Sequence, residues 1–365
     1  MRANTIYCGD AIKLLGQWPK ACVDLVFADP PFNIGYAYDR YSDDLPGDRY
    51  VAWSRDWMVA CRRVLKPDGS LYVAIGDDFA ADIRLIGRDL GLHLRNWIIW
   101  RYTFGQNMRN KFCRAHTHIF YFTMDPDRFT FNDRLLRFPS ARHTEYQDLR
   151  ANPLGRLPDD VWDEFPRVCG TFAERAGFHG CQMPEALLTR IIMASSNPGD
   201  LVLDPFVGSG TTAAAAKRLG RRYVGIDVSP EYVRHVEQRL AAVQDESHAR
   251  PEDGRWPSLH VETLTQLYRE TKVSVANLLP NEVALRVIAA SLGERVGWRY
   301  EVAQVRDGLE RLARSGTLPK LPNDVPFVAR NHRKTEGKRY RRTVQRWRGR
   351  RSDREPGRRA DRQAV

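Results

Sequence analysis

Leu201-Val202-Leu203-Asp204-Pro205-Phe206-Val207-Gly208-Ser209-Gly210-Thr211-Thr212 reads as a short apolar strand that runs into a glycine-rich turn and opens a helix. Gly208 and Gly210 let a ligand approach the backbone closely, and the helix N-terminus beyond them offers unpaired N–H groups. The stretch lacks the lysine of a phosphate-binding P-loop, so an ATPase reading fails. It nearly fits the dinucleotide pattern, because Gly208-x-Gly210-x-x-Ala213 is followed by a strand-end acid, Asp227, about 20 residues on. An acid there can accept both hydroxyls of a ribose. The local physics therefore points to an adenosine-containing ligand, either a dinucleotide or S-adenosylmethionine.

Moving outward, Pro184 to Ser196 is an amphipathic helix with proline in its first turn, followed by the turn Asn197-Pro198-Gly199-Asp200. Downstream, Arg222 to Asp227 is a strand and Pro230 to Val243 a helix, which completes a right-handed βαβα unit. A dinucleotide fold generally carries its glycine loop on the first strand and needs several strands after it. Here only one follows, so earlier strands must complete the sheet. The candidates are Val23–Ala28, Ser70–Gly76, Trp97–Tyr102 and His118–Thr123. Between the first two, residues 51–65 read as a helix ending at a turn, Lys66-Pro67-Asp68-Gly69. Strands alternating with helices predict a parallel sheet covered on both faces.

The strand Val23–Ala28 ends at Asp29-Pro30-Pro31-Phe32. In open α/β sheets functional groups gather at the carboxyl ends of strands. Two prolines fix φ and remove donors, so the backbone carbonyls and the Asp29 carboxylate are left to face whatever lies beyond the strand. In one sheet, this tetrapeptide and the ribose-binding unit converge on a single cleft, which favours S-adenosylmethionine over a dinucleotide.

The order DPPF, a variable segment, then DPFVGSGTT resembles the beta class of DNA amino-methyltransferases, a permuted Rossmann-like methyltransferase fold of α/β class. The resemblance spans about residues 4 to 243. It includes Gly9-Asp10, Leu65 to Leu71, and Gln182-Met183-Pro184-Glu185 with Arg190. Ala115-His116-Thr117-His118-Ile119 departs from the His-Glu frequent in that family. The resemblance implies a catalytic half at 1–124 and a target-recognition insertion at 125–180. It also implies a cofactor-binding half at 181–245. The expected reaction moves a methyl group from S-adenosylmethionine to adenine N6 in double-stranded DNA. Asp29 and the Pro30 carbonyl would accept the two amine N–H bonds, with Pro31 beside them and Phe32 stacking on a base turned out of the duplex. Gly208, Ser209, Gly210, Thr211 and Thr212 would surround the methionyl end of the cofactor, with Asp204 and Phe206 also on that side. Asp227 would hold the ribose, Asp10 would lie near the adenine, and Gln182 and Pro184 would line the site. Serine commonly replaces the aspartate of DPPF in N4-cytosine enzymes, so Asp29 favours adenine. The rivals are cytosine N4, a catalytically idle DNA-binding regulator, and an NAD(P) oxidoreductase. Carbon-5 methylation is disfavoured because no Pro-Cys pair occurs.

Composition agrees with a polyanionic partner. The net charge of +12 is concentrated in residues 331–365, which hold 14 Arg/Lys against four acids. That tail is expected to be disordered alone and to suit phosphates. Residues 125–180 lose periodicity, and Arg134, Arg137, Arg142, Arg150 and Arg156 make them the candidate DNA contact. Residues 251–330 read as a small helical or winged-helix module, with helices at Asn281–Leu292 and Val302–Ser315. The six cysteines form no CxxC pair and are expected to be free, mostly buried thiols in a cytosolic chain. Zinc sites drawn from Cys113, His116 and His118, or from Cys169, His179 and Cys181, match no standard spacing, and no metal is expected. Trp97 and Trp100 are expected in the core. No membrane partner is expected, a homodimer is one candidate assembly, and neither a restriction partner nor the recognition sequence can be read here.

Overall fold

The computed structural model describes residues 1–106, 109–169, 174–252, 254–319 and 321. The basic tail at 331–365 and the end of the 251–330 segment lie outside them. The first half of the chain forms β1 (Thr5–Cys8), α1 (Ala11–Gln17), β2 (Val23–Ala28) and α2 (Gly47–Val64). Then come β3 (Leu65–Ile75), α3 (Ala80–Asp89), β4 (His93–Gln106) and β5 (Arg114–Thr123). The next stretch carries only α4 (Asp133–Leu136), α5 (Ala141–Thr144) and β6 (Val161–Trp162). Regular structure resumes with α6 (Glu185–Ser195), β7 (Leu201–Asp204), α7 (Thr211–Arg218), β8 (Arg222–Asp227) and α8 (Pro230–Ala242). The last helices are α9 (Ser258–Thr271), α10 (Val275–Leu278), α11 (Glu282–Val296) and α12 (Val302–Arg314).

One eight-stranded sheet runs in the order β1-β8-β7-β2-β3-β5-β4-β6. Strands β1, β8, β7, β2 and β3 are mutually parallel, and they are apolar on both faces as a doubly covered sheet requires. On β2, Leu25 and Phe27 enter the core under α6 and α7, while Val26 and Ala28 enter the core under α1, α2 and α3. The expected all-parallel sheet stops at β3. Strand β5 is antiparallel to both β3 and β4, because a hairpin rather than a crossover helix joins β4 to β5.

The turn expected at Lys66-Pro67-Asp68-Gly69 is instead a bulge within β3. Val23 pairs with Leu65, but Leu25 already pairs with Ser70. The Lys66 ammonium bonds one Asp24 carboxylate oxygen, and the other accepts the Leu201 N–H at 2.8 Å. Asp24 thus pins β2 to both neighbours.

The decisive pairing is β2 with β7, Leu25 opposite Val202 and Val26 opposite Leu203. Strands almost 180 residues apart in sequence lie side by side and point the same way, so the turns after them open on the same edge.

Helices α9 to α12 enclose a separate apolar core of residues such as Leu264, Leu285, Ile288 and Leu309. Among the described residues no strand belongs to it. Helix α9 was not legible. Its buried side includes His260, Gln266, Glu270 and Thr271, and these polar residues blur the apolar stripe. Phe138 from the irregular segment is part of this same core. Asn281 donates to the His143 and Thr144 carbonyls, and Arg295 to those of Leu136 and Arg137. The irregular segment is therefore strapped to the helices rather than lying loose.

A buried charge network ties this lobe to α6. Arg190 contacts Glu164 at 2.5 Å and Glu270 at 2.7 Å, and Arg295 meets Glu270 at 2.8 Å. Burial alone would raise the Glu270 carboxyl, but Arg295 and Arg190 outweigh it and hold it below the usual range. The Arg190 guanidinium also covers the Phe165 ring at 4.4 Å.

Two smaller expectations change. Of the six cysteines only Cys61 is buried, since the others lie in loops or at strand ends. Trp100 is in the core, but Trp97 sits on the outer face of β4 and is 40% exposed.

Candidate functional site

At the shared edge of β2 and β7 lies a cleft of about 300 Å³. Of the site residues expected from sequence, all but Gly210 and Pro184 line it. Gly210 works behind the wall. Its φ is +80°, and a Cβ there would fall 2.6 Å from Val236 of α8. Pro184 caps α6 and accepts the Leu187 and Leu188 N–H groups.

Asp29 follows β2 on the cleft floor, and the loop after it is held from behind. Tyr50 of α2 donates to the Pro31 carbonyl at 2.6 Å. Phe32 reaches the end of β3, where a Cβ on Gly76 would lie 3.3 Å from its ring. Burial, and then the charge of Asp204, push the Asp29 carboxyl up to about 8. Asp204 is itself pushed up to about 7, chiefly by burial, against hydrogen bonds from the Thr212 hydroxyl and the Phe206 N–H. These two acids meet because their strands pair. Among the described residues no cation shifts either of them.

The glycine loop is built by its own polar groups. Asp227 at the end of β8 accepts the Gly208 N–H at 3.1 Å and the Ser229 N–H at 2.9 Å. Gly208 has φ +45°, and a Cβ would press on the His179 ring at 3.0 Å. Arg239 of α8 donates to the Ser209 carbonyl and the Thr211 hydroxyl, and the Ser209 and Thr211 hydroxyls bond each other. Those two side chains therefore serve the loop. Gln182 likewise spends both ends of its amide on Ala176 and Glu174 backbone. Asp10 caps α1 through the Lys13 N–H and lines the cleft at its far end.

Several cleft residues had no sequence signal. Trp53 and Trp57 of α2 flank the Phe206 ring, with centroids 5.6 and 5.4 Å away. On sequence they are only apolar positions of a helix. The segment 33–45 bends over the cleft because the buried Asp43 carboxylate gathers the Asn33, Ile34 and Tyr36 N–H groups. From this segment Asp39 bonds the Ser229 hydroxyl at 2.6 Å. Arg114, His116 and Thr117 of β5 line the side nearest Phe32.

The donor set suits a cationic, adenosine-bearing ligand. Asp29 and Asp204 are desolvated acids with no counter-charge among the described residues, and Asp227 and Asp10 supply further acceptors. The Tyr41 hydroxyl and the Trp57 indole N–H, on residues lining the cleft, are buried with no partner among the described residues.

It does not suit a metal. Asp77, His116 and His118 converge within 4.8 Å, but the Trp97 indole donates to His118 Nδ1 at 2.9 Å. The His118 proton must then sit on Nε2, the atom aimed at Asp77. The Arg114 guanidinium already occupies the other Asp77 oxygen at 2.9 Å.

The five arginines expected from sequence to contact DNA are each paired with an acid. Arg134 holds Glu294, Arg137 holds Asp133, Arg142 and Arg150 share Asp148, and Arg156 holds Asp159.

The family model described as DNA methylase matches residues 23–238. The type II methyltransferase M.HpaI of Haemophilus parainfluenzae is 39% identical over 236 residues, which cover 64% of this chain and 73% of that protein. The DNA adenine methyltransferase YhdJ of Escherichia coli is 38% identical over 246 residues, covering 65% and 83%. Among solved structures, the PvuII DNA methyltransferase, specific for cytosine N4, superposes with a TM-score of 0.51 at 20% identity. That match covers 64% of this chain and 85% of that one, and it shows the fold alone.

Proposed function

This chain belongs to the DNA methylase family of N6/N4 amino-methyltransferases, whose methyl donor is S-adenosylmethionine, and we propose that its target is the N6 amine of adenine in double-stranded DNA. The observation that carries the reading is the pairing of β2 with β7, which sets Asp29 beside the glycine loop in one cleft. Bound there, S-adenosylmethionine would supply an electrophilic sulfonium methyl. The glycine loop and Phe206 are the residues to hold its methionyl side, Asp227 its ribose and Asp10 its adenine end.

An exocyclic amine on an aromatic base is a weak nucleophile, because its lone pair is delocalised into the ring. Asp29 and the Pro30 carbonyl counter this by accepting the two N–H bonds and favouring a tetrahedral nitrogen. Acceptance requires Asp29 ionised, and a cation in the cleft pulls its raised carboxyl back down. Phe32 offers a stacking face for a base taken out of the duplex. Fixed positions supply most of the acceleration.

Asp29 in DPPF favours adenine over cytosine, and the likeness to a DNA adenine methyltransferase at 38% identity supports the same choice. We further assign target recognition to one composite lobe, the segment 125–180 together with α9–α12, because Phe138 and the Asn281 and Arg295 bonds join them.

The test is direct. The full chain is incubated with duplex DNA and methyl-labelled S-adenosylmethionine, and the DNA is digested to nucleosides. N6-methyldeoxyadenosine is the expected product. Label in N4-methyldeoxycytidine would overturn the choice of base, and no label in any duplex would favour an idle DNA-binding role.

A further inference from the structure

The tip of the β4–β5 hairpin carries Arg109, Asn110, Lys111 and Phe112, all exposed. Phe112 is 98% exposed, more than any other large apolar side chain described. An exposed phenyl ring is apolar surface that a partner can bury with a gain in free energy. No described residue covers it. Arg109 and Lys111 have no acidic partner among the described residues, whereas Arg134, Arg142 and Arg150 of segment 125–180 are each paired with an acid.

The hairpin is anchored at the cleft. Its last pair is Gln106 with Arg114, and Arg114 is clamped by Asp77 at 2.9 Å and Asp78 at 3.0 Å. A Cβ on Gly76 would lie 3.3 Å from Phe32 and 4.0 Å from Arg114, so the hairpin base adjoins the residue assigned to stack on the target base. Two residues span at most about 7 Å, which keeps the Phe112 backbone within about two base-pair rises of Arg114.

Resting on the methylation reading above, we propose that this tip enters the duplex at the target site. Phe112 fills the stacking gap left by the extruded base, and Arg109 and Lys111 contact the flanking phosphates. The chemistry is that of an apolar wedge between base steps. An aromatic face stacks on any base, so the contact is independent of sequence.

The experiment is single-turnover methylation by the full chain on two duplexes sharing the site found by modification-sensitive sequencing of host DNA. One duplex is fully paired, and the other has an abasic residue opposite the target. Phe112→Ala should slow the paired duplex by about tenfold or more, and the abasic one by no more than about twofold, because there the base is already loose. Phe112→Trp should restore most of the rate. The melting temperature should match wild type, since the ring is almost fully exposed. Equal loss on both duplexes, or no loss on the paired one, overturns the wedge. If wild type methylates neither duplex, it is the assignment of function that fails.

Discussion

Replacing Asp29 by asparagine should stabilise this protein while abolishing its activity. The carboxyl rises from an ordinary 3.8 to about 8 because burial and Asp204 disfavour its charge. Between those values the folded state holds a proton that the unfolded chain has released, so stability falls as pH rises across that window. At about 1.4 kcal/mol per tenfold, the full loss at pH 8 would approach 5–6 kcal/mol. The carboxyl opens to the cleft on one side and titrates together with Asp204, so roughly half of that, about 2–3 kcal/mol, is expected. Asp29→Asn removes this loss. Its melting temperature should equal wild type below about pH 3.8, climb above it through neutrality and level off beyond pH 8. The difference there should be roughly 4 °C for a fold of this size. Adding S-adenosylmethionine should narrow the gap, since a cation in the cleft stabilises the ionised wild-type acid. Scanning calorimetry across pH reads all of this. A variant that melts with wild type at pH 8.5 would show that Asp29 is well solvated, and the argument from desolvation would fall.

Asp227→Asn keeps one of the two backbone acceptors toward Gly208 and Ser229, which use different carboxylate oxygens, and removes the charged acceptor for a ribose. Cofactor affinity by calorimetry should drop by about 1.5–3 kcal/mol, and unchanged affinity would remove Asp227 from that role. Glu270→Gln leaves Arg190 and Arg295 buried with less compensation. It should cost about 3–5 kcal/mol in denaturant unfolding, and a loss under 1 kcal/mol would mean water reaches the network. Deleting residues 331–365 should weaken binding to all duplexes alike and flatten the plot of log affinity against log salt, with site preference intact. Lost preference at an unchanged salt slope would instead place sequence reading in the tail.

The parts legible in the sequence were those set by short-range rules. The β7–α7–β8 unit follows from apolar runs and glycine punctuation, and its permuted partner from the shortage of strands after Asp227. The bulge at Lys66–Gly69 was not legible, since a proline-glycine pair signals a turn while Asp24 and strand register decide otherwise. Nor were Trp53, Trp57 and Asp43, whose placement in the cleft comes from tertiary packing. Composition counts charges, but only coordinates reveal that Arg134, Arg137, Arg142, Arg150 and Arg156 each already have a carboxylate.

The side-by-side placement of β2 and β7 has a consequence during synthesis. The first catalytic strand leaves the ribosome long before its neighbour, and at roughly 5–20 residues per second the wait lasts on the order of ten to thirty-five seconds. Throughout it, β2 presents an apolar edge with unpaired backbone groups, a template for pairing with another nascent chain. The cleft cannot form until some 200 residues have emerged, so a truncated product would be both inert and adhesive. Chaperone demand for this protein should therefore peak in mid-translation, when the edge is exposed, and fall once Leu201–Asp204 docks against it.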